Sequence, residues 1–241
     1  RQKGARVMVI RNLTLETVCG ITSTLPDNKY PENINQQDAL MIDLDYGKLT
    51  ILSTDRSNSY LEVNTKEDEK YFRFNENNQT IRVNTPDNII GIHSTNSPEA
   101  TLYIPENTSF EYIEISMDAG VCSIQTVLDT RQLHVDVDAG SVSVQKMNAD
   151  WLEFDCDAGH ISFEGQAVSG GTVEVDAGNV DLNIHGKKVE DYNYDIEVSV
   201  GDLNINNQHF SGINGKKNIE NHAEGTWMLN CDLGKIQMNI Q

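Results

Sequence analysis

The chain has 241 residues, with 37 acidic and 18 basic side chains and a formal net charge of −19 at pH 7. Its hydrophobic fraction of 38% is too high for a disordered chain, and no apolar run approaches the ~20 residues of a membrane-spanning helix. So large an acidic excess repels phosphate backbones and excludes nucleic acid as a natural partner.

The length allows one large domain or two small ones. Taken from the start, residues 1–11 carry Arg1, Lys3, Arg6 and Arg11 and no acid, so the excess sits in the rest of the chain. The first residue is not Met. A cleaved leader or a membrane anchor upstream of Arg1 would account for that, with the protein at the cell surface or secreted. Residues 1–38 show no clear period and read as a separate N-terminal segment.

Residues 39–112 read as an irregular β region. Its strand-like segments are Ala39–Leu44, Lys48–Leu52, Tyr60–Asn64, Tyr71–Phe74, Thr80–Val83 and Thr101–Ile104. Clusters of Asn, Ser, Asp and Pro separate them. Such a region can cap the open end of a stacked sheet, whose bare edge invites aggregation. All five prolines lie within the first 105 residues, whereas 13 of 17 glycines fall from Gly120 onward. Proline is kept out where every backbone N–H serves a ladder, so residues 113–241 read as continuous sheet.

That stretch is a repeat. Asp-Ala-Gly occurs at 118–120, 138–140, 157–159 and 176–178. Degenerate copies end at Gly201 and Gly234, and an early one ends at Gly47. Around each glycine, apolar residues fall in four fixed columns. Five before it stand Ile42, Ile115, Val135, Phe154, Val173, Ile196 and Leu229. Three before stand Leu44, Met117, Val137, Cys156, Val175, Val198 and Cys231. Two after stand Leu49, Cys122, Val142, Ile161, Val180, Leu203 and Ile236, and four after stand Ile51, Ile124, Val144, Phe163, Leu182, Ile205 and Met238. None is charged. Period-two alternation means strands with one face buried.

A unit of ~20 residues with two short strands cannot bury its own apolar face, so copies must stack. The fold expected is all-β: a β-solenoid or β-helix-like stack of two-strand rungs ~4.8 Å apart, with residues 39–241 as one continuous domain. An antiparallel β-sandwich is the alternative. The column glycines Gly47, Gly120, Gly140, Gly159, Gly178, Gly201 and Gly234 are expected at corners, where positive φ or a bulge favours glycine. The aspartate two positions earlier is expected to accept turn N–H bonds. The longer spacings late in the chain mark insertions at about 185–194 and 206–225, expected as loops on one side carrying Lys187, Lys188, Lys216 and Lys217.

Three stretches together resemble a known family. They are Thr101-Leu102-Tyr103-Ile104-Pro105-Glu106-Asn107, Ile113-Glu114-Ile115, and the recurrent Asp-Ala-Gly followed by alternating Val or Ile. The pattern, with Ile42 to Ile51 as an opening strand pair, is similar to the bacterial "putative adhesin" domains of unknown function. The resemblance covers about residues 39–241. It implies a solenoid-like β fold on membrane-anchored or secreted proteins.

The candidate sites are weighed one by one. Asp118, Asp138, Asp157 and Asp176 form an acidic ladder with Asp45 and Asp232, and Asp43, Asp136, Asp155, Glu174 and Glu197 form a second. Both face outward by parity. Carboxylates ~5 Å apart repel by ~0.8 kcal/mol per pair in water and ~3 kcal/mol at an effective dielectric of 20. A Ca²⁺ ladder would relieve this, but no compact loop gathers the ~6–8 oxygens Ca²⁺ takes, and turn capping with solvation is the favoured reading. His134 falls in one column with Glu114 and Glu153, which reads as a surface charge ladder before a metal site. His160 has no matching partner column. Cys122, Cys156 and Cys231 are inward and read as buried free thiols; Cys19 is unplaced. Ser123, Ser143 and Ser162 form an outward polar column with no evident base. Trp151 and Trp227 are expected at rung edges. Three glycosylation sequons begin at Asn12, Asn78 and Asn107, a short and common pattern.

No catalytic constellation emerges. The function expected is a non-enzymatic surface or secreted interaction module with a repetitive acidic face. Its partner would be a protein, a glycan or a cationic peptide, with membrane contact only through an upstream anchor and no cofactor required. The alternatives are a polysaccharide-active solenoid enzyme, whose carboxylates would sit in a groove with aromatic and basic residues, and an envelope-stress sensor that binds cationic peptides.

Overall fold

The computed structural model describes residues 8–10, 35–77, 79–86, 97–211 and 215–241. Cys19, the Asn12 sequon and Asn78 lie outside them, as does most of residues 1–38. In chain order, the strands are β1 (Met8–Ile10), β2 (Asn35–Leu44), β3 (Lys48–Thr54), β4 (Tyr60–Val63), β5 (Arg73–Asn77), β6 (Thr80–Asn84), β7 (Glu99–Pro105), β8 (Thr108–Met117), β9 (Val121–Ile124) and β10 (Leu128–Val137). They continue with β11 (Ser141–Cys156), β12 (His160–Ala167), β13 (Gly170–Val175), β14 (Asn179–Ile184), β15 (Tyr192–Val198), β16 (Asp202–Ile205), β17 (Gln208–Ser211), β18 (Gly215–Ile219), β19 (Gly225–Cys231) and β20 (Lys235–Ile240). There is no α-helix among the described residues. Tyr71, expected in a strand, instead ends the short 3-10 turn Asp68–Tyr71.

Each rung is one strand before the corner glycine and one after it. Like strands of successive rungs pair in parallel, with equivalent columns opposite each other: Val135 faces Ile115 and Phe154, and Val142 faces Cys122 and Ile161. This parallel stacking makes the fold a β-solenoid and rules out the antiparallel sandwich. The strands before the corner and those after it form two faces around the core, and β11, which pairs with both kinds, joins them into one 20-stranded sheet. Every residue in the four apolar columns is at most 2% exposed. β11 serves two rungs, passing through a bulge where Lys146 has φ 58°.

Structure adds a fifth inward column, seven before the glycine: Leu40, Ile113, Leu133, Leu152, Gly171, Trp227 and Tyr194. Trp227 was expected at a rung edge. It is fully buried, between Gly171 and Tyr194 in the ladder and edge-on to Tyr192. Two residues as unlike as glycine and tryptophan fill one column because they are complementary neighbours, and a search for repeated residue types passes over that.

The corner glycines also act differently from expectation. Of the seven, only Gly47 has positive φ, at +102°. The others are glycine because the next rung's corner lies against them. A Cβ on Gly120 would come within 2.7 Å of the Gly47 carbonyl, one on Gly159 within 2.6 Å of the Gly140 carbonyl, and one on Gly234 within 2.2 Å of the Gly178 carbonyl. Corner N–H groups are spent in the same way. Ala139 N donates to Asp118 O at 2.8 Å, Ala158 N to Asp138 O at 2.7 Å, and Ser141 N to Gly120 O at 2.9 Å. Turn donors therefore bond to the neighbouring rung. Among the described residues, Asp118, Asp138, Asp157 and Asp176 accept none of them on their carboxylates.

Stacking order departs from chain order at both ends. The β2–β3 rung lies between the β6–β7 rung and the β8–β9 rung. The β19–β20 rung lies between the β13–β14 and β15–β16 rungs. Antiparallel strands close the stack: β5 on β6, and β4 on β7 with β1 on β4, at one end, β18 on β15 and β17 on β16 at the other. The insertion at 206–225, expected as a loop, therefore supplies end strands. The outer rungs' N–H and C=O groups need partners.

Candidate functional site

The acidic columns lie on the outer face of the strands before the glycine and at its corner. Parallel pairing sets Asp136 opposite Asp155 and Ser116, and Asp155 opposite Glu174. The corner aspartates follow in the order Asp45, Asp118, Asp138, Asp157, Asp176, Asp232, linked by corner-to-corner backbone bonds. The ladder ends at Ser199, whose hydroxyl donates to Asp232 at 2.8 Å. In the four rungs cornered by Gly120, Gly140, Gly159 and Gly178, the outward positions two, four, six and eight before the glycine hold nine carboxylates and no Lys or Arg. The twelve outward positions one, three and five after the same glycines hold two, Asp181 and Glu164, among Ser, Gln, Asn, Val121 and His160. The two faces of one rod therefore differ sharply in charge.

Burial first, and like-charged neighbours second, raise several carboxyl pKa values. Partial burial is the first cause for Asp118, with the charges of Asp138 and Asp45 adding to it. Burial also leads for Asp136, where Asp138 raises the value and His134 opposes it. For Asp155, burial is followed by the neighbouring Asp136 and Glu174. Lys216 is a cation at one end of this face, bonded to Glu197 at 2.7 Å from the closing strand β18, and Arg82 stands outward on β6 at the other end.

The other candidates resolve into local pairs. Glu114, His134 and Glu153 are neighbours in the ladder, as their shared column requires. His134 Nδ1 lies 3.7 Å from Glu153, whose carboxylate also accepts from Gln132. His160 has a partner that column matching missed: Asp181, 3.9 Å away, sits diagonally across two strands in a different column. His185 pairs with Glu164 at 3.4 Å and His209 with Asp202 at 3.0 Å. These pairs are exposed to water, where such contacts stabilise little. Ser123, Ser143 and Ser162 stack in register, and among the described residues none bonds to a histidine or carboxylate. Cys122, Cys156 and Cys231 are buried free thiols, and burial pushes the Cys122 thiol up to about 12. Among the described residues, no three of His, Cys, Asp or Glu converge closely enough to hold a metal ion.

A shallow depression of about 210 Å³ lies beside β3, β4 and β7. Lys48, Glu62, Asn64 and Glu99 line it with no aromatic residue, and Lys48 and Asn64 both reach Glu99.

Fold and face together define a parallel β-solenoid with one acidic side. The chain belongs to the Toastrack DUF4097 family, which matches residues 37–221. No curated protein matches the sequence. Similar solved structures include "a putative cell adhesion protein" from Clostridium sporogenes, at 15% identity over 85% of this chain and 93% of that chain, with a TM-score of 0.49. A "putative adhesin" from Bacteroides fragilis is similar at 10% identity over 86% and 94%, with a TM-score of 0.38. Another "putative adhesin", from Parabacteroides distasonis, is similar at 12% identity over 86% and 94%, with a TM-score of 0.38.

Proposed function

We propose that this protein is a non-enzymatic interaction module, displayed at the bacterial cell surface or secreted, whose binding surface is the acidic sheet face. The observation that carries this reading is the asymmetry of the four central rungs: nine carboxylates at the outward positions two to eight before the glycine, with only His134 among them and Arg131 beside them paired to Glu111, against two carboxylates at the outward positions after it. A flat ladder repeating every ~4.8 Å engages a partner over many weak, equivalent contacts. An active site holds one converging set of groups in a cleft. The carboxylates here lie along a sheet face, whereas the depression near Glu62 and Glu99 lies beside strands that follow the corner or cap the stack. The partner class that fits is a cationic protein or peptide surface, drawn by long-range attraction and released by salt.

The test is titration with a polylysine peptide at varied salt, using the wild-type chain and a variant carrying Asp136→Asn, Asp155→Asn and Glu174→Gln. Binding should weaken steeply with salt and fall in the variant. Binding that is salt-independent, or unchanged in the variant, overturns the reading.

A further inference from the structure

The last rung in sequence is not the last in space. β19 pairs with β13 on one side and β15 on the other, and β20 likewise with β14 and β16. Residues 225–241 therefore fill a slot between two rungs that precede them in the chain. To reach it, residues 220–224 pass from the edge strand β18 across β15, since β18 and β19 lie on opposite sides of that strand. Two side chains fasten this crossing, and the Asn221 amide donates to Tyr192 O at 2.7 Å. The Asn193 carbonyl oxygen accepts from Asn221 N at 2.9 Å and Ala223 N at 3.2 Å, while its amide donates to Ala223 O at 2.8 Å. At the far end, Asn206 accepts from Ile240 N at 2.7 Å and donates to Ile240 O at 3.1 Å.

The slot also has a closed form written into the sequence. If residues 225–241 were absent from it, the β15–β16 rung would meet the β13–β14 rung in chain order. Val198 would then face Val175, Ile196 would face Val173, and Gly201 would face Gly178, each a match of the same column type. Releasing the last rung breaks two interfaces and allows one to re-form, so the cost of release is partly recovered. What favours the inserted state is specific to that segment. Trp227 fills the space over Gly171, and Gly225 leaves room for the Tyr192 ring, which a Cβ there would meet at 2.6 Å.

We propose that residues 225–241 are an exchangeable insert, fastened by Asn193, which a second copy of this chain can supply in trans to give a rung-exchanged dimer. A second copy is the occupant the slot selects, because the fit needs glycine at 225 and 234 and tryptophan at 227 in one segment. A crossing of five residues joins that segment to β18, a short hinge of the kind through which an identical element is exchanged. In the monomer the tethered rung competes at high effective concentration, so exchange requires opening first.

The experiment mixes isotope-labelled and unlabelled chains of residues 1–241 in urea below the unfolding midpoint, restores buffer and counts mixed dimers by native mass spectrometry. Mixed dimers should rise with protein concentration, and Asn193→Ala should form them on the order of tenfold faster through loss of the clasp. A synthetic peptide of residues 225–241 should suppress them, and the same peptide carrying Gly234→Val should not. Absence of mixed dimers from both chains, or dimers indifferent to the wild-type peptide, overturns the proposal. Should Asn193→Ala fail to fold, capture of the biotinylated peptide by the wild-type chain replaces it. Equal capture of the Gly234→Val peptide then refutes the slot.

Discussion

Gly159→Ala tests why the corner column is glycine. Gly159 sits mid-stack without positive φ, so its backbone conformation suits any residue. The obstacle is space: the added Cβ would lie 2.3 Å from Val137 Cγ1 and 2.6 Å from Gly140 O. Relief needs a local separation of roughly 0.6–1 Å between rungs that pack as densely as a crystal. The Gly140 carbonyl also accepts from His160 N at 3.0 Å, and that bond lengthens with the separation. Overpacking costs ~1–3 kcal/mol, and weakening one or two ladder bonds adds about 1 kcal/mol each. The lower entropy of the unfolded Ala chain returns about 0.4–1 kcal/mol. The net expected loss is about 2–4 kcal/mol, measured by urea unfolding. Gly186→Ala is the contrast. Gly186 has φ +75°, and the nearest atom to its Cβ is 3.7 Å away, so only the left-handed backbone is strained, at about 1–2 kcal/mol. A Gly159→Ala loss below about 0.5 kcal/mol, or one smaller than that of Gly186→Ala, refutes crowding between rungs as the reason for the column.

Three further outcomes are expected. Trp227→Ala should lose about 3–5 kcal/mol in the same urea assay, the cost of emptying a fully buried aromatic site; a loss under 1 kcal/mol would mean the column collapses freely. Thermal stability in low salt should rise as pH falls from 7 through the raised values of Asp136 and Asp155 toward the ordinary carboxylate value of about 3.9. The folded chain holds protons more tightly there than the unfolded chain does, so stability is lost as pH rises through the raised values. Asp136→Asn with Asp155→Asn should flatten that slope in melts followed by circular dichroism, and an unchanged slope counts against it. Calcium at millimolar concentration should shift the melting temperature no more than magnesium does at equal ionic strength. A calcium-specific rise would instead assign a cation to Asp118, Asp138, Asp157 and Asp176.

Much of the acidic face could be read from the sequence, because parity alone decides which side of a strand a residue takes. The His160–Asp181 pair could not be read from it, because the two lie diagonally across rungs in different columns. The aspartates' lack of turn bonds was hidden as well. Sequence shows which residues can accept an N–H, whereas the stack decides that the neighbouring rung's carbonyl takes it first.

The sequence by itself determined the rung. Alternation, the glycine column and the uncharged inward positions specify two strands, a corner and a buried face, since these follow from period-two geometry and the cost of burying charge. Only the tertiary structure decided the order of the rungs. Seven copies with the same column types are nearly interchangeable neighbours, so repetition carries little information about sequence of stacking. That order rests on the features that break the repeat: Trp227 over Gly171, Gly225 beside Tyr192, the Asn193 crossing, and end strands that pair the outer edges. Each is a contact between residues far apart in the chain, and each exists only once the rungs are in place.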